Sequence, residues 1–288
     1  MRDGKPIFVR QRARVLNPPV AVADVPEIQE DVVPKTEVIA DTDLQTSMSE
    51  ASNGSAGGLT ESSAVASNVE EALAAFDEKS YELDLFMTNV QSYISNHPYL
   101  RKDGHPKVHS YRSRLKNRDH LRDKIDRKIA EGRTINNSTI FSEITDLAGV
   151  RILHLFQEDF EAIDHVIRLR VDSQDWVLAE QPKAYTWDPE AAEFFKHYDL
   201  NVSTKDTSYT SVHYLLRPRP DSPVCCEVQV RTLFEEIWGE VDHRINYPMP
   251  SDSVACREQL KVLSKITGAG SRLLDSLQRV HRDHTKKV

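Results

Sequence analysis

The sequence predicts an α+β protein built on one mixed β-sheet flanked by helices. Residues 209–217 and 224–232 read as two long strands. The Pro-rich stretch Arg217-Pro-Arg-Pro-Asp-Ser-Pro223 between them makes them a hairpin or near neighbours. Helical patterns precede and follow these strands without a regular βαβ repeat, which argues against a doubly wound sheet.

In chain order, residues 1–68 are expected to form a disordered tail. From Asn17 to Glu70 there are ten acidic residues against Lys35 alone, and no Trp, Tyr or Phe. Such a segment cannot bury enough apolar surface to offset roughly 1–2 kcal/mol of backbone entropy per residue. From Val69 the texture changes: Val69, Leu73, Phe76, Tyr81, Leu85, Val90 and Ile94 recur at near-helical spacing until Asn96-His97-Pro98 stops them. Pro106 is expected to open a second helix ending near Gly132. Between Arg101 and Arg133 it holds twelve Lys and Arg against five Asp and Glu. On that helix Lys116, Lys124, Arg127 and Lys128 share one broad face with Arg114 close by, a surface suited to a polyanion.

A short helix over 141–144, a strand over 150–156, a helix from Glu158 to about Arg170 and a short strand over 176–178 come next. Asp188-Pro189 caps and opens another helix. After the strand pair, helix resumes at Leu233 and again from Ser253. Trp238, Ile237, Val241 and Ile245 are expected in the core. Leu260, Val262, Leu263, Ile266, Leu273, Leu274 and Leu277 are expected to dock the last helix on its own domain. The organisation is thus a tail (1–68), a central domain (69–250) and a helical extension packed on it (251–288).

Composition narrows the function. The 288 residues carry a formal charge of −8, which weighs against a surface built throughout for nucleic acid. No apolar run approaches the ~18 residues of a membrane span, and no signal-peptide core follows the N-terminal arginines. Cys225, Cys226 and Cys256 lack C-x-x-C spacing and read as reduced thiols. A soluble cytoplasmic protein without a membrane partner is expected.

The chemistry converges on the sheet. A strand alternates faces, so Glu227, Gln229 and Arg231 look one way while Tyr209, Ser211 and His213 share a face of the neighbouring strand. Asp146 stands just before the apolar strand that Gly149 opens. Should Asp146 and Glu227 face each other, they form a pair of hard oxygen donors for Mg²⁺, which keeps its other positions for water and phosphates. With a basic helix nearby, the inventory is that of phosphoryl transfer.

These residues carry a resemblance. Asp-Leu-Ala-Gly-Val-Arg (146–151), Tyr-Thr-Ser-Val-His (209–213) and Glu-Val-Gln-Val-Arg-Thr (227–232) resemble three signature blocks of the RelA/SpoT synthetase domain. Ser-Arg-Leu-Lys (113–116) with Lys124, Arg127 and Lys128 resembles its ATP-binding segment, and residues 238–247 resemble the segment after its last catalytic strand. The resemblance implies a polymerase-β-like nucleotidyltransferase fold. It also implies transfer of pyrophosphate from ATP to the 3′-hydroxyl of GDP or GTP, giving (p)ppGpp and AMP. On this basis Asp146 and Glu227 are the catalytic Mg²⁺ pair, and Glu227 takes the hydroxyl proton. Arg114 and Arg151 sandwich the adenine, while Lys116, Lys124, Arg127 and Lys128 hold the ATP phosphates. Tyr209 stacks on the acceptor base, with Lys205, His213, Gln229 and Arg231 near the acceptor's phosphates.

Departures from the family pattern keep the acceptor open. The family's Pro-Lys ahead of the acceptor tyrosine is missing, Ser208 replaces a glycine and Thr210 an arginine. A tRNA 3′-CCA end, as used by toxin-type members, is therefore an alternative acceptor, and an adenine nucleotide another. A non-catalytic nucleotide-binding module is a third reading, disfavoured because both carboxylates are retained. With no His-Asp dipeptide in the chain, a short synthetase-only member without a hydrolase site is expected. Homo-oligomerisation and a partner for the tail are left open.

Overall fold

A computed structural model of the chain describes residues 58–205, 207–246 and 249–286. The first 57 residues of the expected tail lie outside these, and the first helix, α1 (Gly58–Asn96), begins ahead of the expected Val69. Past Gly58, α1 contains neither Gly nor Pro before its end. Its inner stripe runs through Val69, Leu73, Phe76, Leu83, Met87, Val90 and Ile94. Tyr81 and Leu85, expected in that stripe, are exposed. Five residues past Phe76 is about 140° round the helix, whereas Leu83 is close to two full turns on.

The expected second helix is two elements. Residues 110–115 form strand β1 (Ser110–Leu115) and only then does α2 (Arg118–Ala130) begin. Asn117 makes the break, its side-chain oxygen accepting from the amides of Asp119 at 2.8 Å and His120 at 3.4 Å. What turns 110–115 into a strand is pairing: β1 lies antiparallel to β2 (Ala148–His154), with Arg112 opposite Arg151 and Arg114 opposite Gly149. Local sequence does not reveal that partner.

The remaining elements are α3 (Ile140–Glu143), α4 (Phe160–Asp172), β3 (Val177–Leu178), β4 (Lys183–Thr186), α5 (Pro189–Phe195), β5 (Asn201–Thr204), β6 (Ser211–Arg217), β7 (Cys226–Thr232), α6 (Leu233–Asn246) and α7 (Val254–Thr285). Strands β4 and β5, four residues each, were not read from the sequence. The sheet order is β1-β2-β7-β6-β4-β5, with β3 paired to β6. It is mixed: β2 runs parallel to β7 and β4 to β5, while β6 is antiparallel to both β4 and β7. The expected hairpin across the Pro-rich turn is β6–β7.

Alternation gives the sheet two unlike faces. Val150, Ile152, Val212, Tyr214, Leu216, Val228 and Val230 join α1 and α4 in one core. The other face carries the polar rows. Trp238 is buried as expected, but Ile237 on the same helix is exposed. Helix α7 packs on the body as expected, but through only part of its apolar stripe: Leu260 is buried and Leu263 and Leu274 half-buried, while Val262, Ile266, Leu273 and Leu277 face outward.

Candidate active site

Register assembles the site. Reading across the sheet, Arg112 lies opposite Arg151, Arg151 beside Gln229, Gln229 opposite His213, and His213 opposite Lys183. One step along, Arg114, Gly149, Glu227 and Leu215 form a second row. Gly149 contributes no side chain beside Glu227, so the floor there stays open. Above these rows is a cavity of about 530 Å³ whose far walls come from α2, residues 143–146, and Lys205, Thr207 and Tyr209.

That cavity gathers Arg114, Lys124, Arg127, Lys128, Asp146, Arg151, Lys205, Tyr209, His213, Glu227 and Gln229. It leaves out two expected ligands. Lys116 has a fully buried side chain that donates to Asp146 Oδ2 at 2.9 Å, behind the wall. The Arg231 side chain is 1 % exposed and paired with Glu236. Its guanidinium lies 5.8 Å from the Tyr209 ring centroid, so it backs the tyrosine and does not reach into the cavity. The causes differ: for Arg231, period two fixes a face but not which end of it is roofed over, here by Glu236 of α6, whereas Lys116 lies in the link between β1 and α2 and not on the helix face where it was expected. Thr210 is likewise buried, its hydroxyl 3.0 Å from that of Thr186. Sequence reasoning missed Arg112, Lys183 and Tyr185, which line the cavity. Arg112 was legible as the i−2 neighbour of Arg114, had the segment been read as a strand. Lys183 and Tyr185 sit on an unread strand.

Asp146 is poised as an anion. Lys124 also donates to Oδ2 at 2.9 Å, and although burial opposes ionisation, Lys124 and Lys116 together hold the carboxyl well below the usual carboxylate range. Its Oδ1 is buried with no hydrogen-bond partner among the described residues. Across the floor, Glu227 accepts from Gln229 Nε2 at 2.7 Å and pairs with His213 Nδ1 at 3.0 Å. Burial and the negative charge of Asp146 would raise Glu227, but the charge and hydrogen bond of His213 and the hydrogen bond of Gln229 together lower its pKa. The two carboxylates therefore feel one another. His213 Nε2 lies 3.0 Å from the Tyr209 hydroxyl. Burial disfavours a charged imidazole here, yet Tyr209 and Glu227 prevail and push His213 up to about 9.

The opposite walls differ in character. On one side Arg151, opposite Arg112 in the β1–β2 ladder, is held by Glu236 at 2.9 Å and Glu240 at 3.4 Å, and Arg114 lines the same cavity. On the other, Tyr185 and Tyr209 both meet His213 edge to face, at 5.1 and 6.0 Å between centroids. Lys205 lies 4.7 Å over the Tyr185 ring. Among the described residues the cavity lining holds eight Lys and Arg against five Asp and Glu, in a protein that is acidic as a whole. Such a cavity selects a polyanion.

Residues 113–252 match the family described as the region found in RelA / SpoT proteins. This chain carries a RelA/SpoT domain. GTP pyrophosphokinase YwaC of Bacillus subtilis (strain 168) is 23% identical to it over 177 residues, which is 60% of this chain and 74% of that protein. A GTP pyrophosphokinase family protein from Streptococcus pneumoniae superposes with a TM-score of 0.51 at 19% identity, over 74% of this chain and 93% of that one. The protein smu.1046c from Streptococcus mutans UA159 gives a TM-score of 0.50 at 19% identity, over 74% and 96%. At such identities the likeness is one of fold, an α+β mixed sheet flanked by helices. Among the described residues no helix is long and apolar enough to cross a membrane.

Asp146 and Glu227 fit a divalent cation. They line one cavity, both are held ionised, and Asp146 keeps an unpartnered oxygen. No three His, Cys, Asp or Glu among the described residues form a complete metal site. An ion at this pair would complete its shell from water and substrate phosphates, which is how Mg²⁺ is commonly held.

Proposed function

We propose that this RelA/SpoT domain is an ATP-dependent pyrophosphokinase that moves the β,γ-diphosphate of ATP to the 3′-hydroxyl of GDP or GTP, releasing AMP. The observation that carries this reading is the placing of Asp146 and Glu227 between two unlike walls, one of guanidinium and ammonium groups, the other of Tyr185, His213 and Tyr209. The cationic wall suits the donor. Arg114 and Arg151 offer planes to adenine, and Lys124, Arg127 and Lys128 offer charge to its phosphates. The aromatic wall suits the acceptor base. Lys183 and Lys205 stand beside it for the acceptor's 5′-phosphates.

The 3′-oxygen attacks the β-phosphorus, the bond to the α,β-bridging oxygen breaks, and AMP leaves. Glu227 accepts the hydroxyl proton. His213 and Gln229 hold that carboxylate in position, and Lys116 and Lys124 hold Asp146. Bound Mg²⁺ would supply positive charge to the phosphate oxygens from Asp146 and Glu227. The catalysis is positioning plus electrostatics, without a covalent enzyme intermediate.

The pair of lysines on the acceptor side favours a free nucleotide over a tRNA end, which has no 5′-diphosphate to offer. Incubation with γ-³²P-ATP and, separately, GDP, GTP, ATP or bulk tRNA tests both points. Label in GDP or GTP with AMP released in equal amount is the expected result. Label in tRNA alone reassigns the acceptor, and no label in any arm refutes the enzyme reading.

A further inference from the structure

Two charged groups stand close to the cavity without entering it. Arg231 and Glu236 are absent from its lining, while Arg151 and Tyr209, one on each wall, belong to it. The four form a series. Glu236 Oε1 accepts from Arg151 Nη1 at 2.9 Å, and Oε2 is ion-paired with Arg231 Nη2. Arg231 in turn backs the Tyr209 ring at 5.8 Å from its centroid. The series runs from the guanidinium wall to the aromatic wall through two groups that the cavity does not reach.

Local sequence builds the middle of it. Arg231 lies two residues past Gln229 on β7 and so keeps the polar face. Helix α6 starts directly after β7, which puts Glu236 in its first turn and Glu240 one turn further on the same side. Gly239 leaves the guanidinium its room, since a Cβ there would lie 3.0 Å from Arg231 Nη1. The arrangement is a poor way to stabilise a fold. The side chains of Arg231, Glu236 and Arg151 are 1, 8 and 12 % exposed, and apolar residues of similar volume are often as stable as such a buried triad. Burial and the charge of Arg231 both push the Arg151 pKa down, against Glu236. Among the described residues Glu236 is the one carboxylate ion-paired with Arg231, whose Nε and Nη1 have no hydrogen-bond partner there. What the triad does supply is orientation. A carboxylate is a rigid plane, so its two oxygens cannot be aimed independently, and one residue sets both guanidiniums.

We propose that Glu236 is a positioning residue shared by both substrates: through Arg151 it sets the plane on which adenine stacks, and through Arg231 the ring on which the acceptor base stacks. The inference rests on the donor and acceptor walls assigned above. Steady-state transfer by the full chain, each nucleotide varied with the other saturating, gives the two KM values. E236Q should raise both by about fivefold or more and change kcat by less than about threefold. E240Q removes a partner of Arg151 alone and should raise KM for ATP only. R231M leaves Glu236 to Arg151 and should raise KM for the acceptor only; it decides the matter should E236Q not fold. Double-mutant cycles separate positioning from general loosening. E236Q should add less than about twofold to KM for ATP in R151A, and less than about twofold to KM for the acceptor in Y209A. Unchanged KM values in E236Q, an effect on one substrate only, or a full effect on ATP in the R151A background overturns the proposal. The reading of the walls fails by a different result, R151A raising KM for the acceptor in place of that for ATP. A wild-type chain that transfers nothing refutes both.

Discussion

Replacing Lys116 by methionine separates two roles for that residue, a ligand of the ATP phosphates and a support for Asp146. The Lys116 side chain is wholly buried and its ammonium lies 2.9 Å from Asp146 Oδ2, an oxygen it shares with Lys124. Methionine preserves most of the volume and removes the charge. Removing one partner of a buried ion pair costs about 3–5 kcal/mol; since Lys124 remains on the same oxygen, about 2–3 kcal/mol is expected. For a folded body of this size that is a fall in Tm of roughly 4–12 °C. The sign of the pH dependence comes from Asp146, whose folded pKa is depressed by the two lysines. Its contribution is complete above the unfolded value of about 3.9 and is lost as pH falls towards the folded value. The gap between wild type and Lys116→Met should therefore be widest above pH ~4 and narrow in acid. Urea unfolding at pH 7 and at pH 3 measures both numbers, and equilibrium binding of a non-hydrolysable ATP analogue supplies the third. Affinity for the analogue should change less than about threefold, because Lys116 does not line the cavity. A loss of less than about 0.5 kcal/mol, or a tenfold loss of nucleotide affinity with stability intact, would refute the support role.

The same geometry sets the outcome of other substitutions. Glu227→Gln should reduce transfer by ≈10³ or more, set against what charge-stabilising groups supply in phosphoryl transfer; steady-state rates within tenfold of wild type would exclude Glu227 as base. The same variant should flatten the pH dependence of Tm. His213, raised to about 9, stabilises the fold fully below its unfolded value of about 6.5 and loses that contribution as pH rises through 9. Tyr209→Ala should raise the acceptor KM by roughly ten- to a hundredfold, the worth of one stacked base, and leave ATP affinity nearly unchanged; the reverse pattern would exchange the two pockets. Thr210→Val leaves the Thr186 hydroxyl without this partner and should cost about 1–3 kcal/mol. Chemical denaturation with no measurable change would mean that the Thr186–Thr210 contact is not formed.

Much of the site was readable along the chain because its key side chains lie on strands or next to them. Period two groups Glu227 with Gln229, and places His213 on the face of its own strand that turns out to continue their row. The β6–β7 hairpin is announced by a Pro-rich turn, and Ser253 and Asp188 declare two helix starts by their capping oxygens. Reading stops where a partner far along the chain makes the choice. Residues 110–115 become a strand only because β2 offers an edge, and with the strand comes Arg112.

Residue types and local spacing by themselves determined the α+β class, the two carboxylates, the cationic segment and the aromatic–imidazole cluster, since each depends on neighbours a few positions away. Tertiary structure alone decided which charges reach solvent. Lys116 and Arg231 carry the same charges as Lys124 and Arg151, but the first two are sealed behind Asp146 and Glu236 while the others meet the cavity. It also decided which side of α7 is inside. Helical periodicity marks where an apolar stripe lies but not what it faces, and here Leu260, Leu263 and Leu274 turn towards the body beside Ser264, Thr267 and Ser271 while Ile266, Leu273 and Leu277 turn away.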